Sequence, residues 1–218
     1  MRGRTILFSE MTPAPEWEDR FNTWYDEEHI PIRVGLRGFQ SSQRYVRPDR
    51  NYLAVYEMDT LQALKTVAYQ AIKNNPSPET AWMLKNVTGF TRYLCEEISI
   101  AGDTSPAGIE TQVLYPVWFK VPPERLADFD AWYEQDHVPL LLECPEWRCV
   151  RRFNVTDGVP GDYNRLALHY LDDGSALASP AREKARNTPW RNRISAEPWF
   201  KGVYDVFAKV GERQLPPL

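Results

Sequence analysis

Two histidines, His29 and His137, stand in nearly identical surroundings. Each follows a tyrosine by four residues, Tyr25 and Tyr133, and precedes a proline by two. On a helix this spacing places the phenol and the imidazole on one face, and a histidine of near-neutral pKa can act as a general acid or base. We expect each histidine to end its helix, where the helix dipole and the adjacent acidic residues favour the imidazolium. The structural alternative is that each histidine only caps its helix.

These surroundings belong to an internal repeat. Residues 21–31 and 129–139 share five identities at a constant offset of 108 residues, and after a short insertion near Asp157 the offset becomes 113. So many matches with a single gap indicate two copies of a unit of about a hundred residues. The aligned pairs include Arg44/Arg152 and Phe39/Trp147 at the first offset and Tyr56/His169 at the second.

His169 differs from the other two histidines because its aligned residue, Tyr56, is not a histidine. It lies in the alternating stretch Arg165–Leu171, which predicts a β-strand without deciding which face lines a cavity. A polar residue that breaks the internal symmetry is what a single functional site in a duplicated chain would need. We therefore interpret His169 as an acid/base partner of His137 or His29, with a hydrogen-bonded strand histidine as the alternative.

Arginines and aromatic residues complete the candidate site. Arg44 and Arg152 lie in predicted strands beside aromatic residues, and a guanidinium there could hold a substrate carboxylate or phenolate. A salt bridge to the acidic helix ends is the alternative. Trp24 and Trp132 are candidates for substrate contact, and the tyrosines next to them could stabilise an enolate through their hydroxyls. Packing in the core is the alternative for all four aromatic side chains.

The elements that must position these residues follow one order in both copies. Apolar and β-branched runs at Thr5–Ser9 and Val113–Val121 predict first strands. Aromatic residues at helical spacing then predict helices that end near His29 and His137, because the residue before a proline disfavours the α region. Two strands, a second helix and a last strand follow. Their expected ranges are 39–46, 52–58, 61–74 and 88–98 in the first copy, and 147–155, 165–171, 175–187 and 201–210 in the second.

This β-α-β-β-α-β order is that of a ferredoxin-like unit. We expect an α+β fold of two tandem ferredoxin-like (βαββαβ) units, over residues 1–98 and 113–218, joined by a polar linker over 99–112. A ferredoxin-like sheet carries helices on one face only. We therefore expect the two open faces to cover each other in an intramolecular α+β barrel with a cavity for a small molecule.

The composition restricts the classes of function. The chain carries 26 Lys+Arg and 30 Asp+Glu, a formal net charge of −4, without a basic block, which argues against nucleic acid as a partner. Its apolar runs are far shorter than the roughly 20 residues of a membrane helix, and residues 1–5 lead straight into a strand-like run, so no signal peptide is expected. Three cysteines without a C-x-x-C motif favour a reducing, cytoplasmic location over a disulfide framework.

Several cofactor signatures are missing from the sequence. It contains no dinucleotide-binding G-x-G-x-x-G after a strand, no P-loop and no G-x-S-x-G elbow. The three histidines lack H-x-H or H-x-x-E spacing, so we expect neither a metal nor another cofactor. Haem stays open as an alternative, because a single axial histidine needs no motif.

The segments Trp24–Pro31 and Trp132–Pro139 resemble the W-Y-x-x-x-H-x-P signature of EthD-like proteins, which belong to the dimeric α+β barrel superfamily. The resemblance covers both copies and nearly the whole chain. It implies that the barrel, which most relatives form by homodimerisation, forms here within one chain. It implies much less about the reaction, because the superfamily includes isomerases, cyclases, dehydratases, monooxygenases and haem enzymes.

From this resemblance and the candidate residues we expect a cofactor-independent enzyme of the lyase, isomerase, cyclase or dehydratase type. Its substrate would be a small aromatic, polyketide-like or lactone compound. His137 or His29 would act as acid/base with His169 as partner, and Arg152 or Arg44 would anchor an anion. The alternatives are a non-catalytic binding protein for a hydrophobic metabolite and a cofactor-free monooxygenase. A homodimer of the fused barrel is a further expectation, and neither nucleic acid nor a membrane is expected as a partner.

Overall fold

A computed structural model describes residues 3–217 and divides them into two compact units. Unit 1 comprises the residues up to Glu96 together with Thr156–Pro160 and the segment from Lys209 onwards. Unit 2 comprises Glu97–Val155 and Gly161–Ala208. Both units combine antiparallel strands with helices, so the predicted α+β class is confirmed. Two later segments of the chain thus complete unit 1.

The chain contains nine strands and eight α-helices within residues 3–217. The strands are β1 (Thr5–Met11), β2 (Phe39–Val46), β3 (Tyr52–Met58), β4 (Arg92–Gly102), β5 (Val113–Phe119), β6 (Trp147–Val159), β7 (Arg165–Leu171), β8 (Val203–Tyr204) and β9 (Phe207–Gln214). The α-helices are α1 (Glu18–Trp24), α2 (Pro31–Val34), α3 (Val67–Asn74), α4 (Pro78–Asn86), α5 (Leu126–Trp132), α6 (Val138–Leu141), α7 (Pro180–Ala185) and α8 (Pro189–Ser195).

In unit 1 the strands form an antiparallel sheet in which β1 pairs with both β3 and β4, and β3 also pairs with β2. Every second residue of β3, from Tyr52 to Met58, belongs to the core that covers the helix-facing side of the sheet. This is the period of two that a strand imposes on its side chains. From α1 the same core receives Phe21 and Trp24, which are almost fully buried.

In unit 2 the strand β7 pairs antiparallel with β5 and β6, and β5 also pairs with β8 and β9. The helix α5 contributes Phe129 and Trp132 to the core of this unit. Phe129 has aromatic neighbours on several elements, with Phe119 on β5 at 5.0 Å between ring centroids and Phe200 at 6.4 Å. The packing of Phe129 therefore ties α5 to the sheet.

The strand registers of the two units correspond position by position. The residue opposite Tyr56 on β1 is Leu7, and the residue opposite His169 on β5 is Tyr115, which lies 108 positions after Leu7. In both units the second strand begins with a β-bulge, which redirects a side chain. The bulges lie at Phe39/Ser41 in β2 and at Trp147/Cys149 in β6.

The predicted helix ends at His29 and His137 are wrong. Each first helix continues as a π-helical turn, over Tyr25–His29 or Tyr133–His137, and is followed directly by α2 or α6. The proline falls in the first turn of this next helix, where its missing N–H costs nothing. Both histidines therefore lie inside a continuous helical path instead of at a helix terminus.

The second helix of each unit is shorter than predicted, and another helix follows it. The helices α3 and α7 end at Asn74 and Ala185, while α4 and α8 begin at Pro78 and Pro189. The helix predicted over 175–187 stops before Pro189, and Pro189 itself occupies the first turn of α8 behind the N-cap Thr188. Proline serves well at this position because its φ angle is already helical.

The last strands and the linker also differ from the prediction. The strand β4 extends to Gly102, so the first residues of the predicted linker 99–112 are in a strand, and Pro106–Ile109 form a 3₁₀ turn. The predicted strand 201–210 is divided into β8 and β9. None of the helices within residues 3–217 has the length and apolar character needed to cross a membrane.

We expect the Phe129→Ala substitution to lower the free energy of unfolding by about 3–5 kcal/mol, because Phe129 is 1% exposed and the truncation leaves a cavity. The measurement is urea denaturation followed by circular dichroism. The control is Phe90→Ala, since Phe90 is 43% exposed and its truncation is expected to cost less than about 1 kcal/mol. Equal losses in the two variants would contradict the burial argument.

Candidate active site

Unit 2 contains a cavity of about 540 Å³ beside the π-helical turn that follows α5. We call it the aromatic cavity. Its walls combine aromatic side chains with two histidines and four basic residues. The residues that carry the site are Tyr133, His137, Trp147, His169, Arg182, Arg186, Arg191 and Lys201. Four of the sequence candidates, His137, His169, Tyr133 and Trp132, therefore line one cavity.

His169 is held between two aromatic partners. Trp147 Nε1 donates to His169 Nδ1 at 3.1 Å, and His169 Nε2 lies 2.9 Å from Tyr133 Oη. Because an indole N–H can only donate, Nδ1 must be unprotonated, so the proton of the neutral ring is on Nε2 and is donated to Tyr133. Burial lowers the pKa of His169 well below its usual value, and the nearby charges of Arg182 and Arg152 act in the same direction.

The hydrogen bond with His169 makes the hydroxyl of Tyr133 a donor to other groups. Its oxygen accepts the proton of His169 Nε2, which leaves its own hydroxyl proton for another acceptor. Burial raises the pKa of Tyr133, while the charge of Arg152 opposes that rise. The phenol is therefore neutral at physiological pH and suited to donate a hydrogen bond to an oxygen atom that gains negative charge.

His137 has the opposite orientation of donor and acceptor. Its Nδ1 lies 3.2 Å from the carbonyl oxygen of Ala185, which can only accept, so Nδ1 carries the proton and Nε2 carries the lone pair. Within residues 3–217 no hydrogen-bond partner is found for Nε2. Burial lowers the pKa of His137 to about 4. The expectation that a helix end keeps the pKa of His137 near neutral is therefore wrong. His137 lies within a continuous helical path instead of at a helix end, and the burial of its ring disfavours the charged form.

The charged lining of the aromatic cavity is entirely cationic. Arg182, Arg186, Arg191 and Lys201 line it, and no aspartate or glutamate does. Among the described residues none of these four forms a salt bridge with a carboxylate. Arg191 packs its guanidinium 4.3 Å from the ring centroid of Phe200. The cavity is therefore suited to a substrate that carries or develops negative charge.

Sequence reasoning missed these cations and Trp147, although one signal was present. At the offset of 113, Arg182 aligns with Tyr69 and Arg191 with Pro78, so both positions break the internal symmetry as His169 does. Asymmetry between the two copies at a charged position is therefore the signal in the sequence for Arg182 on α7 and Arg191 on α8.

Unit 1 fills the corresponding space with aromatic rings. Phe39, Tyr56 and Tyr69 occupy the positions of Trp147, His169 and Arg182, and Phe39 packs against Tyr56 at 6.3 Å and stacks on Tyr69 at 5.9 Å. The buried atoms His29 Nδ1 and Tyr56 Oη have no hydrogen-bond partner among the described residues.

Of the other unit 1 candidates, Tyr25 approaches Met11 Sδ through its hydroxyl at 3.8 Å. Burial raises the pKa of Tyr25 to about 12, and lowers that of His29 well below its usual value.

The remaining sequence candidates lie in structural contacts. Arg152 forms salt bridges with Asp130 and with Glu134, the latter at 2.7 Å, and its guanidinium packs 4.7 Å from the ring of Tyr133 on a side that does not line the aromatic cavity. Arg44 is bound in the same way by Asp26 at 2.8 Å. The alternative of a salt bridge to the acidic helix is thus what the structure contains at both arginines.

The two tryptophan candidates differ from each other. Trp24 is buried and donates through Nε1 to Thr80 Oγ1 at 3.0 Å. Trp132 lines the aromatic cavity, and its ring lies 4.7 Å from that of His137. Across residues 3–217 no cluster of three or more His, Cys, Asp or Glu side chains is placed to hold a metal ion.

Comparison with solved structures identifies several with a similar fold. An anthrone oxidase-like protein superposes with a TM-score of 0.69 and 15% sequence identity over 97% of this chain and 92% of that one. A proposed monooxygenase from Fusobacterium nucleatum gives 0.63 and 11% over 99% and 96%. A mutant chlorite dismutase from Candidatus Nitrospira defluvii, in complex with cyanide, gives 0.60 and 8% over 95% and 90%. No protein-family model matches the sequence, and no curated protein matches it either.

These similarities show a shared fold, and they correct the expected reaction. A lyase, isomerase, cyclase or dehydratase was expected, but the matched structures are named for an oxidase-like protein, a monooxygenase and a chlorite dismutase. The expectation was wrong because it rested on acid/base residues, which are shared by many reactions of this fold. None of the three structures is named as EthD-like, so the comparison shows a similar fold and leaves the EthD-like relationship a prediction.

We expect acid to destabilise the protein through His137. Its pKa is about 4 in the folded state and near 6.5 when unfolded, so between these values the unfolded chain binds more protons and stability falls as the pH falls. The full effect is on the order of 3 kcal/mol. Urea titrations between pH 7 and pH 4 should show a shallower loss in His137→Gln than in the unmodified protein. Parallel profiles would contradict the assignment.

Proposed function

We propose that the chain is a monooxygenase that uses dioxygen without a resident cofactor and oxidises a small, electron-rich aromatic compound in the aromatic cavity of unit 2. The observation that carries this proposal is the pairing of an unprotonated ring nitrogen, His137 Nε2, with a cavity whose charged residues are all cationic. The similarity to an anthrone oxidase-like structure and to a proposed monooxygenase supports it.

His137 would remove the proton that starts the reaction. With its pKa lowered to about 4 by burial, the ring is unprotonated at physiological pH but is a weak base. Proton transfer is then favourable only from an acidic C–H or O–H group whose anion is stabilised by its surroundings. The positive charges of Arg182, Arg191 and Lys201 supply that stabilisation, because each lines the same cavity without a carboxylate partner among the described residues.

Dioxygen would then take electrons from the substrate anion. The carbanion transfers an electron pair in total, a C–O bond forms, and His137 returns its proton to give a hydroperoxide at the former CH₂ carbon. Loss of water from the hydroperoxide, with cleavage of the O–O bond, leaves a carbonyl group. The overall change is R₂CH₂ + O₂ → R₂C=O + H₂O, in which the substrate is the only reductant.

Tyr133 and His169 would stabilise the developing oxyanion. The hydrogen bond from His169 Nε2 turns the hydroxyl proton of Tyr133 away from the histidine, at 2.9 Å between the heavy atoms. The raised pKa of Tyr133 keeps that proton in place, so it remains a donor. In this assignment Tyr133 and His137 touch the substrate, whereas His169 and Trp147 are positioning residues.

Oxygen uptake with anthrone as the probe tests this function. We expect enzyme-dependent formation of anthraquinone above the rate of spontaneous oxidation, with one atom of ¹⁸O₂ in the quinone and the other in water. The His137→Gln substitution should lower kcat/KM by about 10²–10⁴-fold, since it removes the base. The Tyr133→Phe variant should lower it by about 10²-fold, because it removes one donor to an oxyanion.

The matched control is Lys184→Gln, because Lys184 lies on α7 but pairs with Glu143 on the surface at 2.7 Å. Loss of activity in His29→Gln with full activity in His137→Gln would place the reaction in unit 1 and contradict the assignment. A probe that binds, shifts the melting temperature and is recovered unchanged without oxygen uptake would instead favour the non-catalytic binding protein.

A second candidate function is a haem-dependent oxidation, favoured by His137 and by the similarity to a chlorite dismutase. An axial histidine usually donates its other ring N–H to a carbonyl or carboxylate, as Nδ1 does here to Ala185. The residues therefore fit the group, with Nε2 as ligand and the cationic lining as partner of the propionates. When bound, haem would supply redox chemistry for the activation of oxygen compounds.

Titration of the protein with hemin distinguishes the two functions. Haem ligation by His137 predicts a saturable shift of the Soret band at one equivalent, which His137→Gln abolishes and Lys184→Gln preserves. The cofactor-free function predicts no such saturation, and oxygen uptake with anthrone that chelators and hemin leave unchanged. Saturation that persists in His137→Gln would contradict this residue as the ligand.

The detailed organisation of the fold is also a matter of inference. We infer a tandem duplication of a ferredoxin-like unit from the matching strand registers, bulges and π-helical turns of the two units. The sequence boundaries 1–98 and 113–218, the intramolecular barrel, the EthD-like relationship, the cytoplasmic location and a homodimer stay predictions of the sequence.

A further inference from the structure

Three arginines of unit 2 line two cavities at once. Arg182, Arg186 and Arg191 belong to the lining of the aromatic cavity and also to that of a second cavity, of about 590 Å³, which is lined by residues of α7 and α8 and their flanking segments. We call the second one the polar cavity. Apart from the arginines it is lined by Leu177, Ala178, Ser179, Glu183, Asn187 and Ser195. The shared arginines therefore lie where the two cavities adjoin.

These arginines are not neutralised by the protein. Arg182 donates to the carbonyl oxygen of Leu177 at 2.9 Å, and Arg191 packs over aromatic rings, but none of the three has a carboxylate partner in the described chain. The polar cavity contains one acidic side chain, Glu183, which forms no salt bridge with them. Burial and the neighbouring charge of Arg186 lower the pKa of Arg191.

Other basic residues on the same two helices are paired. Lys184 on α7 binds Glu143 at 2.7 Å, and Arg193 on α8 binds Asp128 at 2.8 Å. Whether a basic residue is paired depends on where its side chain lies, since the paired Lys184 and Arg193 line neither cavity. Like charges gathered at one place without a counterion disfavour the folded state unless an anion from outside binds there.

The arrangement is confined to unit 2. At the offset of 113 residues the three arginines align with Tyr69, Lys73 and Pro78, so unit 1 keeps only one of the three charges. Tyr69 stacks on Phe39 at 5.9 Å inside the core. The cluster therefore is not required to build this kind of unit, and a role in ligand binding explains it better than a role in folding.

We propose that Arg182, Arg186 and Arg191 form an anion subsite that binds a carboxylate of the substrate. The inference deepens the proposed function and rests on it for the position of the aromatic body in the aromatic cavity, next to His137. The carboxylate lies between the two cavities, where the planar guanidinium groups can bind its two oxygens with paired hydrogen bonds. The substrate class is thus an aromatic acid rather than a neutral aromatic compound.

A pair of probes that differ only in charge tests the subsite. The probes are 1-hydroxy-2-naphthoate and its methyl ester, with affinities measured by titration calorimetry. We expect the acid to bind at least about tenfold more tightly than the ester. Added salt should lower the affinity for the acid but not that for the ester. The Arg186→Gln variant should lower the affinity for the acid by about five- to tenfold and leave the affinity for the ester unchanged, because only the acid carries the charge that Arg186 would bind. Since Arg186 is exposed, the substitution leaves the core intact.

The Arg186→Lys variant keeps the charge but loses the paired hydrogen bonds, so its affinity for the acid should lie between those of Arg186→Gln and the unmodified protein. The matched control is Arg193→Gln, which should bind both probes as the unmodified protein does. Equal affinities for acid and ester, an equal loss in Arg193→Gln, or no binding of the acid up to about 1 mM would overturn the subsite.

The test separates the subsite from the proposed function. Charge-selective binding without oxygen uptake by anthrone would uphold the anion subsite and refute the monooxygenase. Oxygen uptake that depends on His137, together with no preference for the acid, would uphold the monooxygenase and refute the subsite.

Discussion

The hydrogen bond from Trp147 Nε1 to His169 Nδ1 determines the direction of the other hydrogen bonds around His169. Because the indole can only donate, His169 must carry its proton on Nε2 and give it to Tyr133. The hydroxyl proton of Tyr133 is then available to another acceptor, because His169 Nε2 donates to Tyr133 and does not accept from it. The indole N–H of Trp147 thus fixes which group donates and which accepts in each of these hydrogen bonds. In unit 1 the aligned residues are Phe39 and Tyr56, and Tyr56 Oη has no hydrogen-bond partner among the described residues.

The backbone explains how these partners meet. His169 lies opposite Tyr115 on β5 and Val150 on β6, and the bulge at Trp147/Cys149 shifts the register beside it. The π-helical turn over Tyr133–His137 adds one residue to the helical turn. Its first residue, Tyr133, meets His169 on β7, and its last, His137, meets Ala185 on α7. Bulges and π turns are local departures from regular geometry, and both are found frequently at functional sites.

Much of the fold and part of the site could be predicted from the sequence, for physical reasons. Alternation and helical spacing identify the strands and first helices because the core requires those periods, and His169 stands out because it breaks the symmetry of the repeat. The π turn could not be predicted, since the rule for residues before proline describes regular α-helices and not the wider turn around His137. The place of Arg191 could not be predicted either, because the predicted helix stops at residue 187 and α8, which begins at Pro189, follows it.

The charges around the aromatic cavity favour the binding of an anion over that of a cation. His137 and His169 are held uncharged by burial, so neither offsets a negative charge until it accepts a proton. Arg182 and Arg191 line the same cavity as these rings, and neither has a carboxylate partner among the described residues. In a partly buried cavity such unpaired charge acts over a short distance with little screening. The same cationic lining would therefore attract an anionic substrate and stabilise the further negative charge that forms when His137 removes a proton from it.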